Sequence, residues 1–108
     1  MAPREYAGGA ERHTVLGGDD GARDCELRYF LIPAGDATVL ERHPHEHAIL
    51  VLHGHAEVRL GADRTEVAPG DAVLVHRDEL HQLTPLGDED LGFLCTARVD
   101  RPTRPPDA

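Results

Sequence analysis

The sequence is short of basic residues, with 11 Lys and Arg against 20 Asp and Glu and a formal net charge of −9 when histidine is neutral. An acidic surface repels phosphate backbones and anionic lipid headgroups. We therefore expect neither a nucleic acid nor a membrane as a partner. The 108 residues fit one compact domain.

Long apolar segments and cysteines are also scarce. No run approaches the roughly 18 apolar residues of a membrane span. The first residues lack the apolar core of a signal peptide, so the expected location is the cytoplasm. The two cysteines, Cys25 and Cys95, are interpreted as reduced residues of the core.

Helical periodicity is missing, since no segment keeps a 3.6-residue period over three turns. Short strand-like segments instead alternate with turn signals, a pattern typical of an all-β sandwich or barrel. The predicted strands are Cys25–Ile32, Ala37–Arg42, His47–Leu52, Ala56–Leu60, Thr65–Val67, Ala72–Val75, His81–Thr84 and Leu91–Arg98.

The two ends of the chain differ from this pattern. Residues 1–24 are rich in Gly and Asp and are expected to form a loose N-terminal arm, with room for one short strand near His13 to Leu16. Residues 99–108 are rich in proline and are expected to be an extended or disordered tail. The barrel is therefore placed at residues 25–98.

Two predicted strand segments, 29–32 and 49–52, are apolar on both faces. In a single barrel one face lines the interior and the other meets solvent, so such a strand needs a second cover. A homodimer interface is the predicted cover. Packing by the N-terminal arm is the alternative.

Histidines are concentrated in one stretch, with five of the eight between positions 43 and 55. Glu41 and His43 share a face of an extended segment, and a proline then breaks the ladder before a strand restarts at His47. His81 arrives from a later strand. Imidazole and carboxylate groups suit divalent transition metals. The alternative is an exposed, histidine-rich loop that binds metal only adventitiously.

The same stretch resembles the first conserved motif of the cupins, G-x5-H-x-H-x3,4-E-x6-G. The corresponding residues are Gly35, Glu41, His43, His47 and Gly54. The spacing is kept throughout, but two ligand positions are exchanged in type, because Glu41 stands where the first His is expected and His47 stands where the Glu is expected.

A second stretch resembles the second cupin motif, G-x5-P-x-G-x2-H-x3-N, and starts with the family's P-G-D tripeptide. Gly70 and His81 keep their positions. His76, Asp78 and Pro85 replace the Pro, Gly and Asn of the motif.

Together the motifs resemble small single-domain cupins of the conserved-barrel cupin 2 type, and in particular bacterial cupins whose metal is held by four histidines. The resemblance implies a double-stranded β-helix, the cupin jelly-roll barrel, that holds one divalent transition metal: Fe, Mn, Zn, Ni, Co or Cu. The implied ligands are Glu41, His43, His47 and His81. His45 is the alternative to Glu41 as the fourth ligand.

Several further residues are candidates for the cavity or for contacts behind the ligands. Phe93 and Cys95 share a face of the last strand. Arg28 and Tyr29 lie on opposite faces of theirs, and parity alone does not decide which enters the interior. His76 is expected at the rim. The predicted apolar lining is Ile49, Val51, Phe93 and Ala97.

For function, the resemblance implies a small-molecule enzyme in which the metal and its bound water carry the chemistry, since no second acid/base pair is visible. A dioxygenase is the first prediction, and an isomerase, cyclase or lyase is the second. A non-catalytic binding or sensor cupin is the alternative, because the fold hosts many functions. No catalytic residue is assigned.

Overall fold

The structure is a computed structural model that describes residues 3–5 and 9–98. Apart from a three-residue 3-10 helix at Gly18–Asp20, its regular elements in these ranges are β-strands. The strands are β1 (Pro3–Glu5), β2 (Glu11–Leu16), β3 (Cys25–Ile32), β4 (His47–His53), β5 (His55–Leu60), β6 (Asp63–Val67), β7 (Ala72–Val75), β8 (His81–Leu86) and β9 (Leu91–Arg98).

The strands form two antiparallel sheets, one of six strands in the order β1-β2-β3-β9-β4-β7 and one of three in the order β6-β5-β8. In β4 the buried and exposed residues alternate, as expected for a strand with one face on a core. Residues of both sheets, such as Phe30, Ile49, Val58 and Leu83, share one buried cluster. The core therefore lies between the sheets, and the predicted all-β class is confirmed.

The predicted strand Ala37–Arg42 is wrong. This segment pairs with β8 only at separate points: an isolated bridge between Glu41 and His81 and a hydrogen bond from the Thr38 N–H to the carbonyl oxygen of Leu83 at 2.9 Å. The reason lies at Thr38, whose hydroxyl oxygen accepts the N–H of Leu83 at 2.9 Å in place of a main-chain carbonyl. A side chain that takes over a ladder hydrogen bond interrupts regular pairing.

The N-terminal residues extend the larger sheet. Strand β2 pairs with β3, and β1 pairs with β2. The short strand expected near His13 to Leu16 falls inside β2, and Ala10 beside it is buried. The Pro-rich tail at 99–108 lies outside the described residues.

An apolar patch remains on the outer face of β4 and β7. Leu50, Leu52 and Leu74 are 39%, 44% and 47% exposed. The N-terminal arm was the alternative cover for such a face. Its strand β2 lies beside β3 within the sheet, so the described residues of β2 do not cover this patch. The homodimer stays a prediction. Across the described residues no helix has the length and apolar character to cross a membrane.

Candidate metal centre

Three histidines come together at one end of the space between the sheets. His43 lies in the loop before β4, His47 is the first residue of β4, and His81 is the first residue of β8. One nitrogen from each lies within 4.8 Å of the others. His47 and His81 are only 6% and 8% exposed. This cluster unites residues from both sheets and brings together three of the four ligands implied by the motif resemblance.

The ring of His47 is oriented by the main chain of β9. Its Nδ1 donates a hydrogen bond to the carbonyl oxygen of Thr96 at 2.7 Å. A neutral imidazole carries one N–H, so Nε2 is left as an acceptor. Nε2 is buried and has no hydrogen-bond partner among the described residues. A buried polar atom without a partner is rare, and a metal ion satisfies it, since metal-binding histidines donate through the other nitrogen.

The electrostatic surroundings keep His47 in the form that binds metals. Burial lowers its pKa, the Thr96 carbonyl opposes this shift, and the nearby His43, His45 and His81 lower the pKa further. The ring is therefore neutral at pH 7, and its Nε2 lone pair is available.

His81 is held in the same manner. Its Nδ1 donates to the carbonyl oxygen of Glu79 at 2.9 Å, which leaves Nε2 for a ligand bond. Its main chain is fixed by two hydrogen bonds with Glu41, at 3.0 and 3.2 Å. The ring therefore enters the cavity from a well-anchored strand end.

The loop that carries His43 is fixed by a residue that departs from the family motif. The N–H of Asp78 donates to the carbonyl oxygen of His43 at 2.6 Å. Asp78 has φ of 60°, in the left-handed region that glycine favours and that Asp tolerates better than most residues. The replacement of the motif glycine therefore preserves the turn.

Both candidates for a fourth ligand line the same cavity. A carboxylate oxygen of Glu41 lies 3.1 Å from Nε2 of His43. The ring of His45 stacks on His43 at a centroid distance of 5.5 Å and lies 4.7 Å from the ring of His47. Neither residue belongs to the close group of three histidines. Glu41 as the fourth ligand stays a prediction.

The cavity beside the histidines has a volume of roughly 290 Å³. Phe30 and Phe93 stack on one wall with centroids 5.0 Å apart. Ile49, Phe93 and Ala97 line it as predicted, whereas Val51 is buried outside the lining. A small, partly apolar cavity with a few polar groups at one end is typical of a small-molecule site.

The structure decides between Arg28 and Tyr29. Arg28 lines the cavity, on the inner face opposite Cys95. Tyr29 is on the other face, where its hydroxyl lies 2.6 Å from Nε2 of His53. Arg28 is thus among the residues that line the cavity, and Tyr29 is not.

The two remaining candidates have different environments. Cys95 is buried in the cavity wall, its Sγ lies 3.5 Å from Nδ1 of His47, and it donates to the Thr96 carbonyl at 3.2 Å. Burial raises the pKa of this thiol to about 12, and the charge of Arg28 opposes the rise. The thiol is therefore neutral at pH 7. His76 is exposed and is absent from the cavity lining, so a contact behind the ligands is not supported.

The state of the two cysteines predicts selective alkylation. In the native protein iodoacetamide is expected to modify Cys25, which is exposed, and to leave Cys95, which is buried. The reagent attacks thiolates, and a thiol of pKa about 12 is almost entirely protonated at pH 8. Intact mass spectrometry is expected to show one adduct per chain, and two after unfolding. Equal rates at both cysteines in the native state would contradict the burial of Cys95.

Most of the chain matches a known protein family. Residues 28–97 match the family model of the cupin domain, Cupin_2. The chain belongs to the cupin 2 family. The family and the jelly-roll fold implied by the sequence motifs are thereby confirmed.

Relatives of this cupin include enzymes and proteins known by domain type. It is 40% identical over 85 residues to the 1-methylthio-D-xylulose 5-phosphate methylsulfurylase of Rhodospirillum rubrum, a match that covers 77% of the chain and 54% of the relative. The chain thus spans about half the length of this curated relative.

Solved structures give the same family and fold. A cupin 2 domain-containing protein from Halorhodospira halophila is 41% identical, with a TM-score of 0.79 over 94% of this chain and 74% of that one. The polyketide cyclase RemF from Streptomyces resistomycificus is 28% identical, with a TM-score of 0.80 over 93% and 72%.

Proposed function

We propose that this cupin is a metal-dependent enzyme that acts on a small molecule bound between its sheets. The observation that carries the proposal is the buried Nε2 of His47, which has no hydrogen-bond partner among the described residues. His47 is one of three histidines that each bring one nitrogen within 4.8 Å of the others. A divalent ion bound there would supply Lewis-acid polarisation of a substrate oxygen.

The residues of this chain have distinct parts in the proposed reaction. The carbonyls of Thr96 and Glu79 hold His47 and His81 with Nε2 pointing away from the main chain, so that the ligand nitrogens are preorganised. The stacked Phe30 and Phe93 form an apolar wall, and electrostatic interactions are stronger where such a wall displaces water.

We place a non-oxidative reaction, of the isomerase, cyclase, lyase or group-transfer kind, before the dioxygenase expected from the sequence. The names of two relatives support this order, since one is a methylsulfurylase and the other a polyketide cyclase. The methylsulfurylase is named for a phosphorylated keto sugar whose neighbouring oxygens can chelate a metal. A small molecule of this kind is the substrate we propose.

The experiment is an assay of the metal-loaded chain with 1-methylthio-D-xylulose 5-phosphate, with and without a small thiol as acceptor, under nitrogen and in air. Substrate loss is followed by mass spectrometry. Conversion under nitrogen that stops after treatment with a chelator is the expected result. Conversion only in air would favour the dioxygenase, and binding without conversion would favour a sensor.

A further inference from the structure

Three arginines line the same cavity as the histidines: Arg12, Arg28 and Arg98. They come from β2, β3 and β9, which are neighbours in the larger sheet. Among the described residues of the lining, Glu41 alone carries a carboxylate. Three of the 11 basic residues of a chain with net charge −9 therefore line one cavity, and one of them, Arg28, is ion-paired with Glu26.

Arg28 is held in place by a neighbouring carboxylate. Its side chain is 17% exposed, and it is held by Glu26, which is 14% exposed. Nε of Arg28 donates to the Glu26 carboxylate at 2.5 Å, and Nη2 contacts the same oxygen. A guanidinium has five N–H donors, so this pairing fixes the group and leaves donors for an anion.

The arginine site and the histidine site belong to the same cavity but lie at different places on its wall. On β9, Cys95 has Arg28 of β3 on one side and Ile49 of β4 on the other. Two strand spacings therefore separate the main chains of Arg28 and Ile49, about 10 Å. His47 is on the same face of β4, two residues from Ile49. A short molecule can bridge an anion site at Arg28 and a metal at the histidines.

We propose that Arg28, together with Arg12 and Arg98, binds a phosphate group of the substrate. In the substrate class proposed above, the phosphate would then lie at the arginines and the metal-binding oxygens at the histidines. This inference rests on the proposed function, because it assumes that the cavity holds the reacting molecule. Phosphate carries close to two negative charges and several acceptor oxygens at pH 7. A phosphate group on the bound molecule therefore suits three guanidinium groups better than a carboxylate group, which carries one charge and two oxygens.

The test uses the metal-free full chain, so that phosphate bound to a metal does not contribute. Inorganic phosphate is titrated into the protein by calorimetry, and acetate is titrated separately to represent a carboxylate ligand. The wild type is expected to bind phosphate with a dissociation constant on the order of 1 mM. Arg28→Lys keeps the charge but loses the planar fork, and it is expected to weaken phosphate binding about tenfold.

Two further variants control for charge and for folding. Arg64→Gln removes an exposed cation that pairs with Glu57 on the smaller sheet, so it is expected to leave phosphate binding unchanged. Arg98 is exposed and lies at the end of a strand, so Arg98→Gln is not expected to impair folding. This variant is expected to weaken phosphate binding severalfold.

The outcomes separate this inference from the proposed function. Metal content is measured on the same variants and is expected to stay at the wild-type level, because the arginines are not ligands. Absence of phosphate binding in the wild type, equal phosphate affinity in Arg28→Lys and Arg98→Gln, or acetate binding as tight as phosphate binding would overturn the phosphate site. None of these results bears on whether the histidines bind metal.

Discussion

Replacement of His47 or His81 with alanine is expected to weaken metal binding by more than about a hundredfold. Loss of the hydrogen-bond partners behind metal ligands costs about 10- to 100-fold, and loss of a ligand itself removes a bond in addition. Both residues belong to the close group of three nitrogens. The measurement is a competition titration with a chromophoric chelator, followed by elemental mass spectrometry of protein purified without a histidine tag.

His55→Ala is the matched control for these variants. His55 is exposed and lies outside the cavity lining, so the same substitution there is expected to leave metal affinity within about twofold, in line with other surface changes. Glu41→Ala tests whether Glu41 is the fourth ligand. This variant is expected to lose less metal affinity than His47→Ala. Equal metal content in His47→Ala, His81→Ala and His55→Ala would contradict the three-histidine centre.

The second large effect is expected on folding, at the glycine that ends the first motif. Gly54 has φ of +78°, and a Cβ there would lie 2.3 Å from the main-chain oxygen of Asp90. A main-chain atom cannot move aside as the end of a flexible side chain can. Gly54→Ala is therefore expected to lower the free energy of unfolding by about 3 kcal/mol or more, the size of effect tied to backbone strain and overpacking.

Gly61→Ala separates the clash from the conformational effect. Gly61 also has a left-handed φ, of +61°, but a Cβ there meets open space. We expect a loss of about 1 kcal/mol from the left-handed conformation alone. Thermal unfolding of the metal-free variants measures both, at about 4–8 °C per kcal/mol for a domain of this size. An equal shift for the two variants would show that the close approach to Asp90 does not matter.

Much of the fold follows from local patterns in the sequence. The strands Cys25–Ile32 and Leu91–Arg98 have the bounds predicted from their apolar segments and flanking turns. The predicted strand at 37–42 failed because a side chain, Thr38, takes part in the pairing with β8. The use of a side-chain hydroxyl as the acceptor in place of a main-chain carbonyl does not change the alternation of apolar and polar residues, so the sequence pattern does not reveal it.

The site was predictable where it depends on spacing and not where it depends on tertiary pairing. The cupin-like spacing identified His43, His47 and His81, which the structure brings together. Strand parity left the choice between Arg28 and Tyr29 open, because it fixes which residues share a face but not which face is inside.

Other parts of the site carry no sequence signal. Arg12 lies in a segment expected to be loose, and it lines the cavity only because β2 pairs with β3. Arg98 ends β9 and enters the lining through the position of that end. The carbonyl of Thr96 that orients His47 is a main-chain group, so its role does not depend on residue type.

The central claim is that one metal ion binds one imidazole nitrogen from each of His43, His47 and His81 at the end of the cavity, with Nε2 as the ligand atom of His47 and His81. X-ray absorption spectroscopy of the zinc-loaded chain tests it most directly. The predicted result is three imidazole nitrogens at about 2.0–2.1 Å with oxygen as the remaining light ligand. A spectrum without imidazole scattering, or with a sulfur ligand at about 2.3 Å that would place Cys95 on the metal, would contradict the claim.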